Sequence, residues 1–201
     1  MPLAIREEAF SITQTKSELR KKLGQDDKFT VYIAEGGYGI GLAEKLSQRI
    51  VEEDLPISLV VICGKNEQLH KKLSAIKTKG NLSFYPYGFC DNILEIIAAS
   101  DLYMGKSGSG VLEIAFFGVP MVITKSVHDI EKNIAKHYVN TVKDAVEIGD
   151  VDKCVEFIKK ALKGEGEYAE LKKNIKPRTE YGGEGIADCI FEKLNEKFHL
   201  K

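Results

Sequence analysis

The chain lacks an excess of either charge: 29 Lys and Arg stand against 30 Asp and Glu in 201 residues, a formal net charge of −1. Without a basic face it has no basis for broad nucleic-acid binding, which draws its affinity from clustered cations. No apolar run approaches the roughly 20 residues of a membrane span, and the amino terminus carries no signal-peptide pattern. The four cysteines, Cys63, Cys90, Cys154 and Cys189, have no paired metal-ligand spacing. They read as reduced, mostly buried thiols of a cytosolic protein. Internal repeats and low-complexity segments are missing too. What is present is an ordinary globular balance, 43% hydrophobic and 29% charged, in a length that suits one large domain with a sizeable core.

Hydrophobic periodicity divides the chain into alternating elements. Residues 1–10 have no clear period and read as a linker or arm. Thr15 and Glu18 fit a capping box and Gly24 a helix stop, so a short helix is expected between them. The run 29–34 is β-branched and aromatic and is expected as the first strand, followed by a glycine turn over 36–41 and an amphipathic helix to about Glu53. Further strands are expected at 57–63, 82–85, 101–105 and 119–124, the last interrupted near its start by Pro120. Helices are expected at 66–76, 91–99, from 110 to Phe117, and at 131–138 after a loop over 125–130. The tail reads as three helices, 151–162, 168–175 and 184–198. Strands alternating with helices of this length imply parallel βαβ units, hence an α/β, doubly wound, mostly parallel Rossmann-like sheet. Its ligands bind at the carboxyl ends of the strands, the edge on which both glycine turns fall.

The most informative stretch is Lys106-Ser107-Gly108-Ser109-Gly110-Val111-Leu112-Glu113. Small residues between a strand and a helix let backbone N–H groups close on a phosphate. Glu113, about one turn further on, is placed to accept hydrogen bonds from two neighbouring sugar hydroxyls, as a diphosphate beside a ribose requires. An ordinary glycine-rich strand-to-helix turn fits the same eight residues. A dinucleotide fingerprint needs G-x-G-x-x-G and an acid at the end of the second strand. Here the first turn is spaced Gly37-x-Gly39-x-Gly41, and the second strand ends Ile62-Cys63-Gly64-Lys65 with no acid, which disfavours NAD. A P-loop is excluded because no glycine turn runs into Lys-Ser or Lys-Thr in the required register.

The ordered set comprises the glycine turn at 36–41, Cys63-Gly64-Lys65-Asn66, Gly88-Phe89-Cys90-Asp91-Asn92, Ala99-Ser100-Asp101-Leu102, the 105–110 loop, Glu113 and Gly118-Val119-Pro120. It resembles the carboxyl-terminal, donor-binding half of GT-B glycosyltransferases of the monogalactosyldiacylglycerol synthase and MurG type. The diacylglycerol-glycosylating branch is the nearer likeness, and the resemblance covers about residues 1–195. It implies an interdomain linker or arm at 1–12 and a nucleotide-sugar-binding domain with carboxyl-terminal helices at 13–201. The implied partners are a UDP-sugar donor and a lipid or lipid-linked acceptor held by an amino-terminal domain absent from this chain. That domain also carries the candidate base, so no catalytic residue is expected here and transfer by this piece alone is expected to be absent or weak. No cofactor or metal is implied. The expected setting is cytoplasmic, at the inner membrane face for the full-length enzyme, in glycolipid synthesis.

By the same resemblance, Gly37, Tyr38 and Gly39 approach the donor diphosphate, and Phe89 and Cys90 read the uracil edge through backbone groups. Ser107, Gly108, Ser109 and Gly110 form the second phosphate loop, and Glu113 binds the ribose. The family usually places a threonine between that loop and the acid. This chain has none and is one residue shorter, so Ser107 or Ser109 is expected to supply the contact. In the sugar-reading loop Asp129 and Asn133 fit, Ile130 cannot hydrogen-bond a sugar, and Glu131 is expected to stand in for it. His128 and His137 are weaker candidates, and Lys106 and Lys125 are placed to offset phosphate charge. Rival readings are a nucleotide-sugar epimerase or hydrolase on the same fold, and a non-catalytic donor-binding subunit working with a membrane-associated partner.

Overall fold

A computed structural model describes residues 5–36, 41–176 and 183–198. Six strands, β1 (Phe29–Ala34), β2 (Ile57–Ile62), β3 (Ser83–Tyr87), β4 (Leu102–Lys106), β5 (Met121–Lys125) and β6 (Ala145–Glu147), form one sheet in the order β3-β2-β1-β4-β5-β6. Every strand pair is parallel. This is the doubly wound Rossmann order, and its switch point lies between β1 and β4, where successive crossovers diverge to opposite sides. β2 is buried along its whole length, as an apolar strand covered on both faces must be.

Helices cover both faces. Against one face pack α2 (Ala43–Glu53), α3 (Glu67–Ser74), α7 (Val151–Leu162) and α8 (Gly166–Asn174), around Val31, Ile33, Leu59, Val61 and Met104. Against the other pack α4 (Ile93–Ala98), α5 (Val111–Phe116) and α6 (Asp129–Lys136), around Tyr32, Val60, Tyr103 and Ile123. The alternation of these residues along each strand is the period-2 rule that sends neighbours to opposite faces. The chain ends in α9 (Gly183–Phe198). Among the described residues no helix is long and apolar enough to cross a membrane.

Several boundaries differ from expectation for local reasons. β5 starts at Met121, after Pro120, whose missing N–H cannot join the ladder. α6 starts at Asp129 rather than Glu131 because the Glu131 side chain reaches back to the N–H groups of Val127 and His128 and closes the turn early. A wide π-type turn, His137–Val142, then leads into β6, which the sequence pattern did not signal; three residues are too few to display a period. Residues 5–12, within the stretch expected as a linker or arm, pack on the domain. A 3-10 turn at Glu7–Ser11 buries Ala9 beside Ile5 and Leu94, and the Phe10 ring meets Phe116 edge-on at 5.1 Å.

Helix α1 (Lys16–Lys22) opens on the expected Thr15–Glu18 capping box and stops at Gly24, which sits at φ +66°. It is held to the amino edge of the sheet by Asp101, just before β4. One Asp101 oxygen accepts from Lys16 Nζ at 2.8 Å. The other accepts from Arg20 Nη2 and from the Thr30 N–H. Arg20 is buried, and its Nε also donates to the Ala99 carbonyl at 3.0 Å. Removing the acid would leave the buried Arg20 only the 59%-exposed Asp27, 2.9 Å from Nη1, as an acidic partner, so Asp101→Ala is expected to cost about 3 kcal/mol, the low end for a broken buried pair. For a chain of this size that is a fall of roughly 6–12 °C in melting temperature. A thermal shift corresponding to less than about 1 kcal/mol would show that the network is peripheral.

Candidate functional site

At the switch point the backbones of β1 and β4 run unusually close. A Cβ on Gly105 would fall 2.0 Å from the Ala34 carbonyl oxygen and 2.5 Å from the Tyr103 hydroxyl, so only glycine fits. The space goes to the Tyr103 hydroxyl, which lies 3.0 Å from the Ala34 carbonyl and 2.7 Å from that of Lys106 and shares its proton between them. Burial pushes the Tyr103 phenol well above its ordinary pKa, and Tyr32 beside it likewise, so both stay neutral donors. The β4–β5 register shifts at Gly105 and Lys106. Beyond the strand ends a cleft of about 500 Å³ opens over β1, β2 and β4 between α4 and α5.

The apolar floor of this cleft is Tyr32, Ile62, Ile97 and Ile114, and its polar wall is the loop Gly108-Ser109-Gly110 with Lys106, Glu113 and Glu131. Glu113 stands on the first turn of α5 with its side chain 14% exposed. Both of its oxygens are already engaged. Arg6 Nε donates to one at 2.7 Å and Nη2 to the other at 2.9 Å, a bidentate fork that raises the Arg6 pKa. The packing of residues 5–12 on α4 and α5 is what brings Arg6 there. Together with Ile5, Ser109, Gly110 and Glu113 it lines a shallower extension of the cleft. A carboxylate has about four lone-pair sites, so a Glu113 held by Arg6 still has two to offer vicinal hydroxyls.

The expected site residues separate into three groups. Gly108, Ser109, Gly110, Glu113 and Glu131 line the cleft, and Phe89 and Cys90 line it from the loop after β3. The Phe89 side chain is 70% exposed. The Cys90 thiol is half-buried and raised in pKa, mainly by desolvation, so it is a neutral thiol with no nucleophilic character. Ser107, Asp129 and Asn133 do not line it. Ser107 is fully buried, and its hydroxyl lies 2.7 Å from that of Ser126 and donates to the Glu131 carbonyl at 2.8 Å. Its hydroxyl therefore ties the loops after β4 and β5 together and is not available to replace the missing threonine. Asp129 is 92% exposed and pairs with Lys132, and Asn133 is exposed on the same helix. Gly37, Tyr38 and Gly39 lie outside the described residues.

Glu131 keeps its place in the cleft while capping α6, and the N–H of Val127, 2.6 Å away, lowers its pKa. The histidines take no part: His128 is exposed at the start of α6, and the His137 ring packs edge-on against Tyr138. No cluster of three potential metal ligands exists among the described residues. All four cysteines are free thiols, with Cys63 and Cys154 buried as expected and Cys90 and Cys189 half-buried. Glu67, the acid that follows β2, is exposed at the start of α3 and does not line the cleft, so it does not supply the acid that a dinucleotide site requires.

The helix start of α5 is partly closed to an anion. The N–H groups of Val111 and Leu112 already donate to the Gly108 and Ser109 carbonyls, each at 3.1 Å. The backbone of the 108–110 loop and the cations Arg6 and Lys106 line the cleft beside that helix start. Sequence reasoning missed Arg6 and Glu35. The first sits in a segment without periodicity, and the second was hidden beside a glycine turn that drew all the attention.

Known proteins share both the sequence and the shape. Residues 40–177 match the family described as Glycosyltransferase family 28 C-terminal domain. The processive diacylglycerol beta-glucosyltransferase of Bacillus pumilus is 27% identical over 187 residues, which is 92% of this chain and 49% of that protein. The chloroplastic monogalactosyldiacylglycerol synthase of Spinacia oleracea is 33% identical over 130 residues, 60% of this chain and 24% of that protein. The chain thus spans about half or less of the length of these relatives. Among solved structures, MurG of Acinetobacter baumannii superposes with a TM-score of 0.67 at 16% identity, over 90% of this chain and 54% of that one. Anabaena HepE in complex with UDP-glucose superposes at 0.58 with 18% identity, over 96% and 54%. The fold is that of one half of a GT-B enzyme, and the chain belongs to the glycosyltransferase family 28 carboxyl-terminal domains.

Proposed function

We propose that this domain binds a UDP-sugar and, joined to an acceptor-binding half, transfers a hexose to a lipid or lipid-linked hydroxyl. The observation that carries this reading is the cleft at the switch point, with the carboxylate of Glu113 on its wall one turn beyond the Gly108–Gly110 loop. A nucleoside diphosphate presents a base, two vicinal hydroxyls and a diphosphate in that order. The cleft has for these an apolar rim at Phe89 and Cys90, the Glu113 carboxylate, and the 108–110 loop with Arg6 and Lys106. Glu131, across the loop, is left for the sugar. The names of the relatives support the class of acceptor, and the boundary at residues 12 and 13 is read as the point where a linker enters the donor domain.

In this reading the domain's work is electrostatic. When the glycosidic bond breaks, negative charge gathers on the departing UDP. Loop N–H groups, the Arg6 guanidinium and the Lys106 ammonium are already in place to receive it, so no reorganisation is needed at that moment. Arg6 then links two tasks, orienting Glu113 for the ribose and presenting its charge beside Ser109 and Gly110. A lipid acceptor would bring the reaction to a membrane surface, in this reading on the cytoplasmic side.

Calorimetric titration with UDP, UDP-glucose, UDP-galactose, UDP-GlcNAc and NAD tests the proposal. UDP or a UDP-sugar is expected to bind and NAD not to; equal or tighter NAD binding would overturn the assignment. Glu113→Ala removes charge-assisted hydrogen bonds worth about 1.5–3 kcal/mol, roughly a 10- to 150-fold loss of UDP affinity. Its melting temperature should change little, because the ion pair with the 46%-exposed Arg6 contributes at most about 1 kcal/mol. Glu95→Ala, a helical acid paired with Lys22 away from the cleft, is the control that leaves UDP affinity unchanged. Unaltered UDP binding by Glu113→Ala would remove the ribose role. Orientation across two domains supplies about 7–11 kcal/mol of a transfer barrier, so the domain alone is expected to show little transfer to diacylglycerol from UDP-glucose. Turnover by this chain at the rate of a two-domain enzyme would contradict the division of labour.

A further inference from the structure

Four side chains floor the cleft, and three of them, Ile62, Ile97 and Ile114, are hydrocarbon. The fourth is Tyr32, in the middle of β1, and the proposed function leaves its hydroxyl without a task. Tyr32 is 4% exposed and belongs to the core cluster on the α4–α5 face of the sheet. Its ring meets that of Tyr103, its partner in the β1–β4 register, at 5.5 Å and a tilt of 42°. The two phenols differ in one respect. The Tyr103 hydroxyl has two backbone carbonyls for its proton. The Tyr32 hydroxyl has no hydrogen-bond partner among the described residues, and the titratable groups that act on it are Cys90, Glu113 and Arg6, which all line the cleft. A phenylalanine would fill the same place in this cluster and spare the chain an unpaired hydroxyl in a nearly closed position, which is unfavourable. Tyrosine hydroxyls so placed normally find a partner, and here the partner has to come from the cleft.

We infer that Tyr32 is a ligand-binding residue whose hydroxyl donates a hydrogen bond to the 2′-oxygen of the donor's ribose, the same hydroxyl that gives its own proton to Glu113. The inference rests on the UDP-sugar reading and adds to it a residue that selects ribonucleotide over 2′-deoxyribonucleotide donors.

Strand order supplies the placement. Across the sheet the order is β3-β2-β1-β4; Cys90 follows β3, Glu113 follows β4, and Tyr32 lies on β1 between them. A uridine with its base at the Phe89–Cys90 rim and its vicinal hydroxyls at Glu113 therefore has the join of base and ribose above Tyr32. The hydroxyl nearest that join is the 2′-hydroxyl. A ribose hydroxyl is both donor and acceptor, whereas Glu113, held by Arg6, can only accept. Glu113 alone would leave the lone pairs of the 2′-oxygen unanswered in a place poor in water. Tyr32 supplies the missing donor. Burial raises its pKa far above the physiological range, so the phenol keeps its proton at any working pH. The hydrogen bonds then run in one direction, from Tyr32 to the 2′-oxygen and from the 2′-hydroxyl to Glu113, each polarising the next. A 2′-deoxy ligand would leave both protein groups unpaired together, the circumstance in which a polar site discriminates far better than an apolar one.

The test is calorimetric titration of the parent chain, Tyr32→Phe and Tyr85→Phe with UDP and 2′-deoxy-UDP, the latter followed by displacement of UDP where its own heat is too small. Melting temperatures accompany all three. Tyr85 does not line the cleft, and its hydroxyl accepts from the Asp26 N–H, so its variant controls for loss of a phenol oxygen elsewhere. Tyr32→Phe is expected to bind UDP roughly 3- to 12-fold more weakly than the parent, the loss of one neutral hydrogen bond. It should bind 2′-deoxy-UDP as tightly as the parent does and melt no lower, while Tyr85→Phe binds UDP like the parent. A loss for one nucleotide and not the other is something that a merely structural hydroxyl does not produce. If Tyr32→Phe keeps its UDP affinity within twofold, or loses affinity equally for both nucleotides, the 2′-oxygen assignment is wrong while the proposed function stands. If the parent binds neither nucleotide, the proposed function falls and takes this role of Tyr32 with it.

Discussion

Everything at the carboxyl edge of this sheet depends on how closely β1 and β4 approach. Gly105 allows the Ala34 carbonyl to sit where a side chain would otherwise be, and the Tyr103 hydroxyl fastens the two strand ends from the far side. Because β1 and β4 are the strands between which the winding reverses, their ends diverge into loops that leave in opposite directions, and a crevice is unavoidable. The phenol is buried and neutral, so the fastening works without placing another charge beside an anion site. A larger residue at 105 would push apart the two strands that set the spacing between the first turn and the second loop.

Charge is distributed around this crevice with some economy. Three carboxylates, Glu35, Glu113 and Glu131, line the cleft, and each is already partnered by the chain. Glu131 caps α6 and Glu113 is held by Arg6. Glu35 lies against the start of α2, where a helix end and two lysines partly offset it. The partners differ in what they leave over. Arg6 brings a full positive charge to the wall and leaves lone pairs on Glu113 for hydroxyl donors, whereas Glu35 uses its helix end for itself. The Glu113 carboxylate thus keeps acceptor capacity on the wall of the cleft, whereas Glu35 Oε1 is committed to Leu42 and Thr124.

This asymmetry marks the limit of what could be read in the chain. β1 was legible to the residue, because a β-branched and aromatic run is bounded by charged Lys28 and Glu35. α7 was legible too, because Asp150 caps it by accepting the Lys153 N–H. That Gly108–Gly110 and Glu113 share one wall was legible because their geometry is local, a strand, a turn and one helical step. The Arg6–Glu113 pair spans 107 residues and the Glu35–Thr124 contact 89, and no local pattern records either. Ser107 misled for the same reason. Its partner Ser126 follows Lys125, the residue that pairs with Lys106 in the β4–β5 register, so the two serines meet only once the strands are laid side by side.

The amino-terminal segment shows how a stretch without periodicity can still be specified. Ile5 and Ala9 bury themselves against Leu94, and Phe10 rests edge-on upon Phe116, three small contacts that no helix or strand pattern requires. They fix the backbone on either side of Arg6, a long side chain whose ordering would otherwise cost up to about 2 kcal/mol of rotamer entropy. A bidentate fork needs both its planarity and its register to be right, so the apolar contacts flanking Arg6 are what make a half-exposed guanidinium a dependable part of the wall. In the proposed two-domain enzyme the same segment is the linker. Any movement of the acceptor half that pulled on residues 5–12 would act on the Arg6–Glu113 fork directly, placing the donor's ribose acid and the domain connection in a single mechanical unit.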